Sequence, residues 1–138
     1  MSLYPPEIVA HDRAPHREGA LPGATHAATL DNPLCGDTVT IAFVAGETIT
    51  DARFVAKGCA LCRAAASMLC DRAAGSTRAD LRALVDAFEA FVMGPPDAAA
   101  PETLGELAAF AGVRAVKSRR GCATLPFRAA LGSGLWTG

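Results

Sequence analysis

The sequence predicts an α+β fold, in which a small antiparallel three-stranded β-sheet packs against several helices. Strand patterns come first along the chain and helix patterns second, with the change at Gly58. In the first half, Val39, Ile41 and Phe43 alternate with threonine and alanine, which is the period of a half-buried strand. In the second half, residues 59–74 are rich in alanine and lack β-branched residues, which favours a helix.

The strand half contains three strand patterns after a short N-terminal helix. Residues 3–11 are expected to form that helix, and proline and glycine then indicate an irregular segment. Residues 38–45 and 48–56 are predicted to form a hairpin around a tight turn at Gly46-Glu47, and residues 26–30 a third strand beside it. The predicted sheet is therefore antiparallel.

The next helix has a clear start signal. Gly75 ends the alanine-rich helix, and Thr77 precedes Asp80 by the spacing of a capping box. Residues 79–93 then carry an apolar stripe at helical spacing. We expect an amphipathic helix with this stripe facing the core.

The C-terminal part is predicted to contain two more helices. A loop precedes a short helix over residues 102–111, and residues 116–121 interrupt the helical pattern. The last helix is predicted to begin at Cys122, with Pro126 in its first turn, where proline is tolerated.

Length and charge limit the possible functions. At 138 residues the chain is expected to be one domain, residues 1–138, with a real hydrophobic core. Its 13 basic and 14 acidic residues nearly cancel, so nothing indicates a nucleic-acid partner. Apolar stretches fall far short of the roughly 20 residues that span a bilayer, so no membrane association is expected. The N-terminal segment lacks a signal-peptide pattern, which predicts a cytoplasmic location.

Five cysteines invite a chemical explanation: Cys35, Cys59, Cys62, Cys70 and Cys122. An odd number in a chain without a secretion signal favours metal binding or thiol chemistry over disulfides. Cys70 is expected to pack in the core. Cys62 completes a C-x-x-C with Cys59, and packing is favoured there over an alternative ligand or a resolving thiol.

The predicted hairpin brings three candidate ligands together. Cys35 and Asp37 precede its first strand and Cys59 follows its second, so all three lie at one end. Cys59 and Cys122 are both placed at helix starts, where the helix dipole lowers a thiol pKa. Three thiolates and one carboxylate suit a tetrahedral Zn²⁺, and the carboxylate makes the site more labile than four cysteines would. Such a site could also hold an Fe–S cluster.

Three segments in order carry a family resemblance: "NPLCGD", "DARFVAKGCALCRAAAS" and "SRRGCATLPF". They resemble the ligand segments of the U-type Fe–S cluster assembly proteins, the NifU/IscU/SufU-like family, and the N-terminal segment resembles that family's opening. The resemblance implies a SufE/NifU-like fold and a site that holds zinc or a nascent cluster. The implied ligands are Cys35, Asp37, Cys59 and Cys122.

Departures from the scaffold pattern indicate a branch of this family. Gly121 stands where the IscU-type scaffolds have a histidine, and their leucine-proline-proline-valine-lysine motif is absent. Extra sequence over residues 94–112 and Arg119, three residues before the last cysteine, are similar to the SufU branch. Arg119 and Arg120 are placed in the sequence to offset the negative charge of the site, and a solvated loop is the alternative interpretation of both.

The resemblance to SufU implies a zinc-dependent sulfurtransferase that accepts persulfide sulfur from a pyridoxal-phosphate (PLP) cysteine desulfurase of the SufS type. Cys35 is the expected acceptor, and Arg119 steers the persulfide or holds Asp37. The sulfur would pass to a scaffold or to recipient Fe–S apo-proteins. The alternative is a non-enzymatic scaffold that assembles a [2Fe-2S] or other cluster on the same ligands and transfers it. A structural zinc module is a third hypothesis. The three histidines are expected at the surface or in local hydrogen bonds.

Overall fold

The structure, a computed structural model, describes residues 2–136 and confirms the α+β class. Helices follow strands along the chain, apart from one short helix at the N-terminus. The elements are α1 Pro6–Arg13, β1 His26–Asn32, β2 Asp37–Ala45, β3 Ile49–Lys57, α2 Ala60–Ala73, α3 Arg78–Met93, a 3-10 helical segment Glu102–Ala115 and α4 Lys117–Leu131.

The sheet is antiparallel with the order β1-β2-β3, as predicted. Asn32 pairs with Asp37 where β1 meets β2, and Thr38 pairs with Lys57 where β2 meets β3. Both hairpins therefore bring the start of β2 to the same end of the sheet as the end of β1 and the end of β3. This end carries the candidate ligands.

One face of the sheet packs against the helices and forms one side of the hydrophobic core. Val39, Ile41 and Phe43 are fully buried, and α2 and α4 pack across them. Phe88 of α3 stacks on Phe127 of α4 with ring centroids 4.2 Å apart. The apolar stripe predicted for α3 thus faces the core. No helix in residues 2–136 is both long and apolar enough to cross a membrane.

The segment before α4 is longer and less regular than predicted. Instead of a short helix ending at residue 111, a 3-10 helical segment runs to Ala115 and is interrupted at Gly105, where φ is +54°. The buried Arg114 anchors this region by donating hydrogen bonds to the carbonyl oxygens of Ala111, Pro95 and Ala98.

The predicted start of the last helix is wrong. Helix α4 begins at Lys117, so residues 117–121 belong to it and Cys122 lies in its second turn. Pro126 is in the interior of the helix, not in its first turn. Gly121 lies inside this helix, at a position where a side chain would crowd Asn32.

Candidate metal centre

The loop between β1 and β2 presents Cys35. The backbone oxygen of Asn32 accepts hydrogen bonds from the N–H groups of Cys35, at 3.2 Å, and Gly36, at 2.8 Å. Gly36 has φ +74°, a left-handed conformation that glycine adopts without strain. The turn leaves the Cys35 thiol exposed, and the neighbouring Leu34 side chain is 90% exposed.

Asp37 and Cys59 meet across the β2–β3 hairpin, as the sequence predicts. Asp37 is 1% exposed, and its Oδ1 accepts a hydrogen bond from the Cys59 N–H at 2.9 Å. The Cys59 Sγ donates to Asp37 Oδ2 at 3.5 Å. Gly58, with φ +145°, makes this approach possible, because a Cβ at that position would overlap the Asp37 carboxylate.

Cys122 approaches the same site from α4. Its Sγ lies 3.1 Å from the Cys35 Sγ, and the ligand atoms of Cys35, Asp37 and Cys122 all lie within 4.8 Å of one another. Cys59 joins this triad through its contacts with Asp37. Three of the sequence-predicted ligands, from the β1–β2 loop, the start of β2 and the second turn of α4, thus form one cluster, and Cys59 at the start of α2 lies beside it, in contact with Asp37 but outside the mutual 4.8 Å limit.

The expected electrostatics of Cys122 are wrong. Placement at a helix start predicts a lowered thiol pKa, but Cys122 is fully buried and in the second turn. Burial raises its pKa, and its hydrogen bond with Cys35 raises it further. For Cys59 the helix-start position is confirmed, since Cys59 is the N-cap residue of α2.

The two arginines that precede Cys122 have different surroundings. Arg119 lines the cavity beside the ligands, and a hydrogen bond with Cys122 raises the pKa of its guanidinium. Arg120 instead donates two hydrogen bonds to the backbone oxygen of Arg114, at 3.2 and 2.6 Å. Arg119 is therefore placed to offset the charge of the site, and Arg120 is not.

An open cavity of 460 Å³ gives access to the ligands. Its lining combines the exposed loop, the β3–α2 junction and the first turn of α4. The lining residues are Leu34, Cys35, Asp37, Gly58, Cys59, Ser118 and Arg119.

The other two cysteines lie in the core. Cys62 and Cys70 are fully buried in α2. Burial raises the pKa of Cys62 to about 12, with the Asp37 charge as the next cause. Both are neutral packing groups, which confirms packing as the favoured interpretation of Cys62.

The three histidines lie away from this centre and form hydrogen bonds, as expected. His16 Nδ1 contacts Asp71 at 3.0 Å and His26 Nδ1 contacts Thr25 at 2.8 Å. His11, however, is buried, with its Nδ1 2.7 Å from the Ser67 Oγ. Its burial was not predicted, because its partner lies 56 positions away.

The donor set fits a tetrahedral zinc ion. Sulfur and oxygen ligands at about 2.0–2.3 Å from Zn²⁺ lie about 3.3–3.8 Å apart in a tetrahedron. The Cys59–Asp37 separation of 3.5 Å lies within that range, whereas the Cys35–Cys122 sulfur–sulfur separation of 3.1 Å lies below it. Binding of the ion would require the Cys35 and Cys122 sulfurs to move apart and the Cys59 sulfur, which lies outside the cluster of mutually close ligand atoms, to approach them.

Sequence reasoning missed one residue of the site. Asn32 Nδ2 donates to the Cys35 Sγ at 3.4 Å, and Asn32 Oδ1 accepts the Leu34 N–H at 3.2 Å. An asparagine before a proline in a turn is a recognisable signal for the second contact but not for the first.

Comparison with known proteins agrees with this geometry. The chain is 35% identical over 128 residues to the iron-sulfur cluster assembly scaffold protein IscU of Streptococcus pyogenes serotype M1, covering 92% of this chain and 79% of that one. It is 28% identical to the zinc-dependent sulfurtransferase SufU of Bacillus subtilis (strain 168), covering 93% and 86%.

The fold is likewise shared with a solved structure. The N-terminal part of a nitrogen-fixing NifU-like protein from Brucella abortus superposes with a TM-score of 0.84 at 29% identity, covering 95% of this chain and 91% of that one. This confirms the NifU-like fold that the resemblance implies. The family described as "NifU-like N terminal domain" matches residues 3–123, and the chain therefore belongs to that family.

Proposed function

We propose that this protein acts in Fe–S cluster assembly as a zinc-bound persulfide acceptor. The carrying observation is that the ligand atoms of Cys35, Asp37 and Cys122 lie within 4.8 Å of one another beside an open cavity. Cys59 is the fourth ligand. The similarity to a relative named as a zinc-dependent sulfurtransferase supports this assignment.

Cys35 is the sulfur acceptor. It is the exposed cysteine of the four-ligand set, whereas Cys122 is fully buried and Cys59 is partly covered. Bound zinc would keep the ligand thiols deprotonated at neutral pH. The Cys35 thiolate attacks the outer sulfur of a partner's cysteine persulfide, a new S–S bond forms to Cys35, and the partner's S–S bond breaks. The partner's cysteine leaves as a thiolate, so no external oxidant or reductant is needed.

Arg119 guides the incoming sulfur. A persulfide is anionic near neutral pH, and Arg119 is a cation in the lining of the cavity next to Cys35. The Cys122 thiol is the main cause of the raised pKa of this guanidinium, which places the cation near the sulfur ligands. The alternative role, holding Asp37, has less support, because Asp37 is bound by the Cys59 N–H.

The sulfur donor is a PLP-dependent cysteine desulfurase of the SufS type, because this class of enzyme produces the protein-bound persulfide that the reaction consumes. The recipient is a cluster scaffold or an Fe–S apo-protein. Exposed Leu34 lies beside Cys35, where a docked partner would cover it.

A second candidate function is a scaffold on which a cluster is assembled. The observation that favours it is the 35% identity to a relative named as a scaffold, which exceeds the 28% identity to the sulfurtransferase. The same four ligands would then hold a [2Fe-2S] or other cluster as cargo, since thiolates are the usual cluster ligands.

One experiment separates the two functions. The purified protein is analysed for metal, then incubated anaerobically with a cysteine desulfurase and cysteine, with and without iron. The sulfur-acceptor proposal predicts one zinc per chain and faster alanine production. A stable brown chromophore that transfers to an apo-protein would favour the scaffold instead.

Two cysteine variants test the role of Cys35. Cys35→Ala is expected to abolish sulfur acceptance, measured as persulfide on this protein by mass spectrometry. Cys62→Ala is the matched control, because Cys62 is a buried neutral thiol near the same site. Full stimulation of the desulfurase by Cys35→Ala would rule Cys35 out as the acceptor.

A further inference from the structure

Asn32 organises the turn that carries Cys35. Its backbone oxygen accepts the N–H groups of Cys35 and Gly36, and its Oδ1 accepts the N–H of Leu34. These contacts use the acceptors of Asn32. Its Nδ2 is left to donate, and it points at the Cys35 Sγ, 3.4 Å away. A single side chain thus shapes the loop and contacts its sulfur.

Gly121 of α4 leaves room for this amide. A Cβ on Gly121 would lie 3.1 Å from Asn32 Nδ2, which is tighter than an ordinary carbon contact. Glycine inside a helix costs about 1 kcal/mol relative to alanine, so its presence here calls for a packing reason. Gly121 also directly precedes Cys122, whose sulfur lies 3.1 Å from that of Cys35. The Asn32 amide therefore lies where the loop and α4 approach each other.

We propose that Asn32 is the positioning residue for Cys35, holding its sulfur towards Cys122 through the Nδ2–Sγ hydrogen bond, and that Gly121 is small to admit it. For the metal-bound protein this rests on the proposed function. Hydrogen bonds from outside the ligand set orient metal ligands, and those to ligand sulfurs tune their electronic properties. Such partners are typically worth about 10–100-fold in metal affinity.

The first test compares zinc affinities by competition with a chromophoric chelator. Asn32→Ala is expected to weaken Zn²⁺ binding by about tenfold or more. Asn32→Ser keeps a short side-chain oxygen that can accept the Leu34 N–H but lacks the arm that reaches Cys35. It is expected to bind Zn²⁺ as weakly as Asn32→Ala. Wild-type affinity in Asn32→Ser would overturn the proposal, because the turn alone would then be sufficient.

The role of Gly121 is tested by a double-mutant cycle. Gly121→Ala is expected to weaken Zn²⁺ binding several-fold in the wild-type background and to have no effect in the Asn32→Ala background, where no amide is displaced. The same loss in both backgrounds would overturn the link between the two residues. Asp31→Asn, an exposed change next to Asn32, is the control and should bind Zn²⁺ like the wild type.

A metal-free measurement separates this inference from the proposed function. The side-chain NH₂ resonances of Asn32 are expected to move in Cys35→Ala but not in Cys62→Ala, since only the first variant removes the acceptor. Unmoved resonances would overturn the inference whether or not zinc binds. A wild-type protein that binds no zinc would overturn the proposed function alone.

Discussion

Helices α2 and α3 begin in different ways. The start of α3 is capped locally, because Thr77 Oγ1 accepts the N–H of Asp80 at 3.0 Å. The N-cap residue of α2 is Cys59, whose side chain makes no capping hydrogen bond. Its own N–H is bound instead by Asp37, 22 positions earlier in the chain, at 2.9 Å.

This difference separates a structural helix start from a functional one. A side-chain cap stabilises a helix by about 1 kcal/mol, and α3 has that contribution without help from elsewhere. Helix α2 lacks it and presents a thiol to Asp37 in its place. Helices α1 and α4 also begin without a side-chain cap, so it is the buried carboxylate of Asp37 that distinguishes the start of α2.

Removing the carboxylate at the start of α2 is expected to have the largest effect. Asp37→Ala deletes a proposed ligand and leaves the Cys59 N–H without its acceptor. We expect zinc affinity to fall more than about 100-fold, beyond the range typical of residues outside the ligand set. Chelator competition measures the change.

Asp37→Asn is the control for this prediction, because it keeps an oxygen for the Cys59 N–H but removes the charge. It should lose zinc affinity while keeping most of the stability that Asp37→Ala loses. Equal zinc affinity in the wild type and in Asp37→Ala would contradict the metal site.

Gly58→Ala tests the close approach between α2 and β2. The new Cβ would overlap the Asp37 carboxylate, and φ +145° is strained for any side chain. We expect a loss of about 1–3 kcal/mol in the free energy of unfolding, measured in urea. Gly23→Ala is matched in having a positive φ, +78°, but has open space around it. If Gly58→Ala lowers the free energy of unfolding no more than Gly23→Ala does, the structure relieves the overlap without losing stability.

The stability of the protein at alkaline pH tests whether Cys62, in the first turn of α2, is as deeply buried as the structure shows. Burial raises the Cys62 pKa from 9.0 to about 12, so the unfolded chain loses this proton first as the pH rises. The stability that the neutral thiol confers is complete below pH 9 and declines by about 1.4 kcal/mol per pH unit towards pH 12. Urea unfolding between pH 8 and 10.5 should show a shallower decline for Cys62→Ala than for the wild type. Parallel declines would mean that Cys62 ionises freely in the folded protein.

Thr77→Ala measures the value of the local cap. We expect about 1 kcal/mol less stability, since the Asp80 N–H loses its acceptor. Zinc affinity should not change, because Thr77 lies outside the metal centre. A change in zinc affinity would show that the two helix starts are coupled.

Cys59→Ser replaces the N-cap cysteine of α2 with a residue that can cap the helix, and it has the smallest expected effect on stability. Serine is a preferred N-cap residue, so the metal-free variant should be more stable by about 0.5 kcal/mol. It should also lose zinc affinity, because it lacks the sulfur of a proposed ligand. A metal-free variant less stable than the wild type would contradict the view that α2 lacks a cap.

Local patterns in the sequence were sufficient for much of the fold. Alternation predicted β2, the tight turn at Gly46-Glu47 predicted β3, and the Thr77–Asp80 spacing predicted the cap of α3, because each depends on neighbours a few residues apart. The hairpin then placed Cys35, Asp37 and Cys59 at one end of the sheet. These three residues could be grouped without any knowledge of the helices.

The start of α4 could not be predicted in the same way. Polar residues and Gly121 resemble a break, yet Arg120 binds the Arg114 carbonyl and the helix begins at Lys117. Cys122 is consequently buried in a second turn, with a raised pKa instead of a lowered one. The sequence indicates Gly121 as part of a break and as a departure from a family pattern, whereas in the structure it lies against Asn32.

The sequence by itself determined the strands, the capped helix and the identity of the candidate ligands, because these follow from residue types and short spacings. Only the tertiary structure decided how deeply each cysteine is buried, which arginine faces the cavity and which amide contacts the Cys35 sulfur. Those properties depend on contacts between residues as many as 87 positions apart, such as Cys35 and Cys122, and no local pattern specifies them.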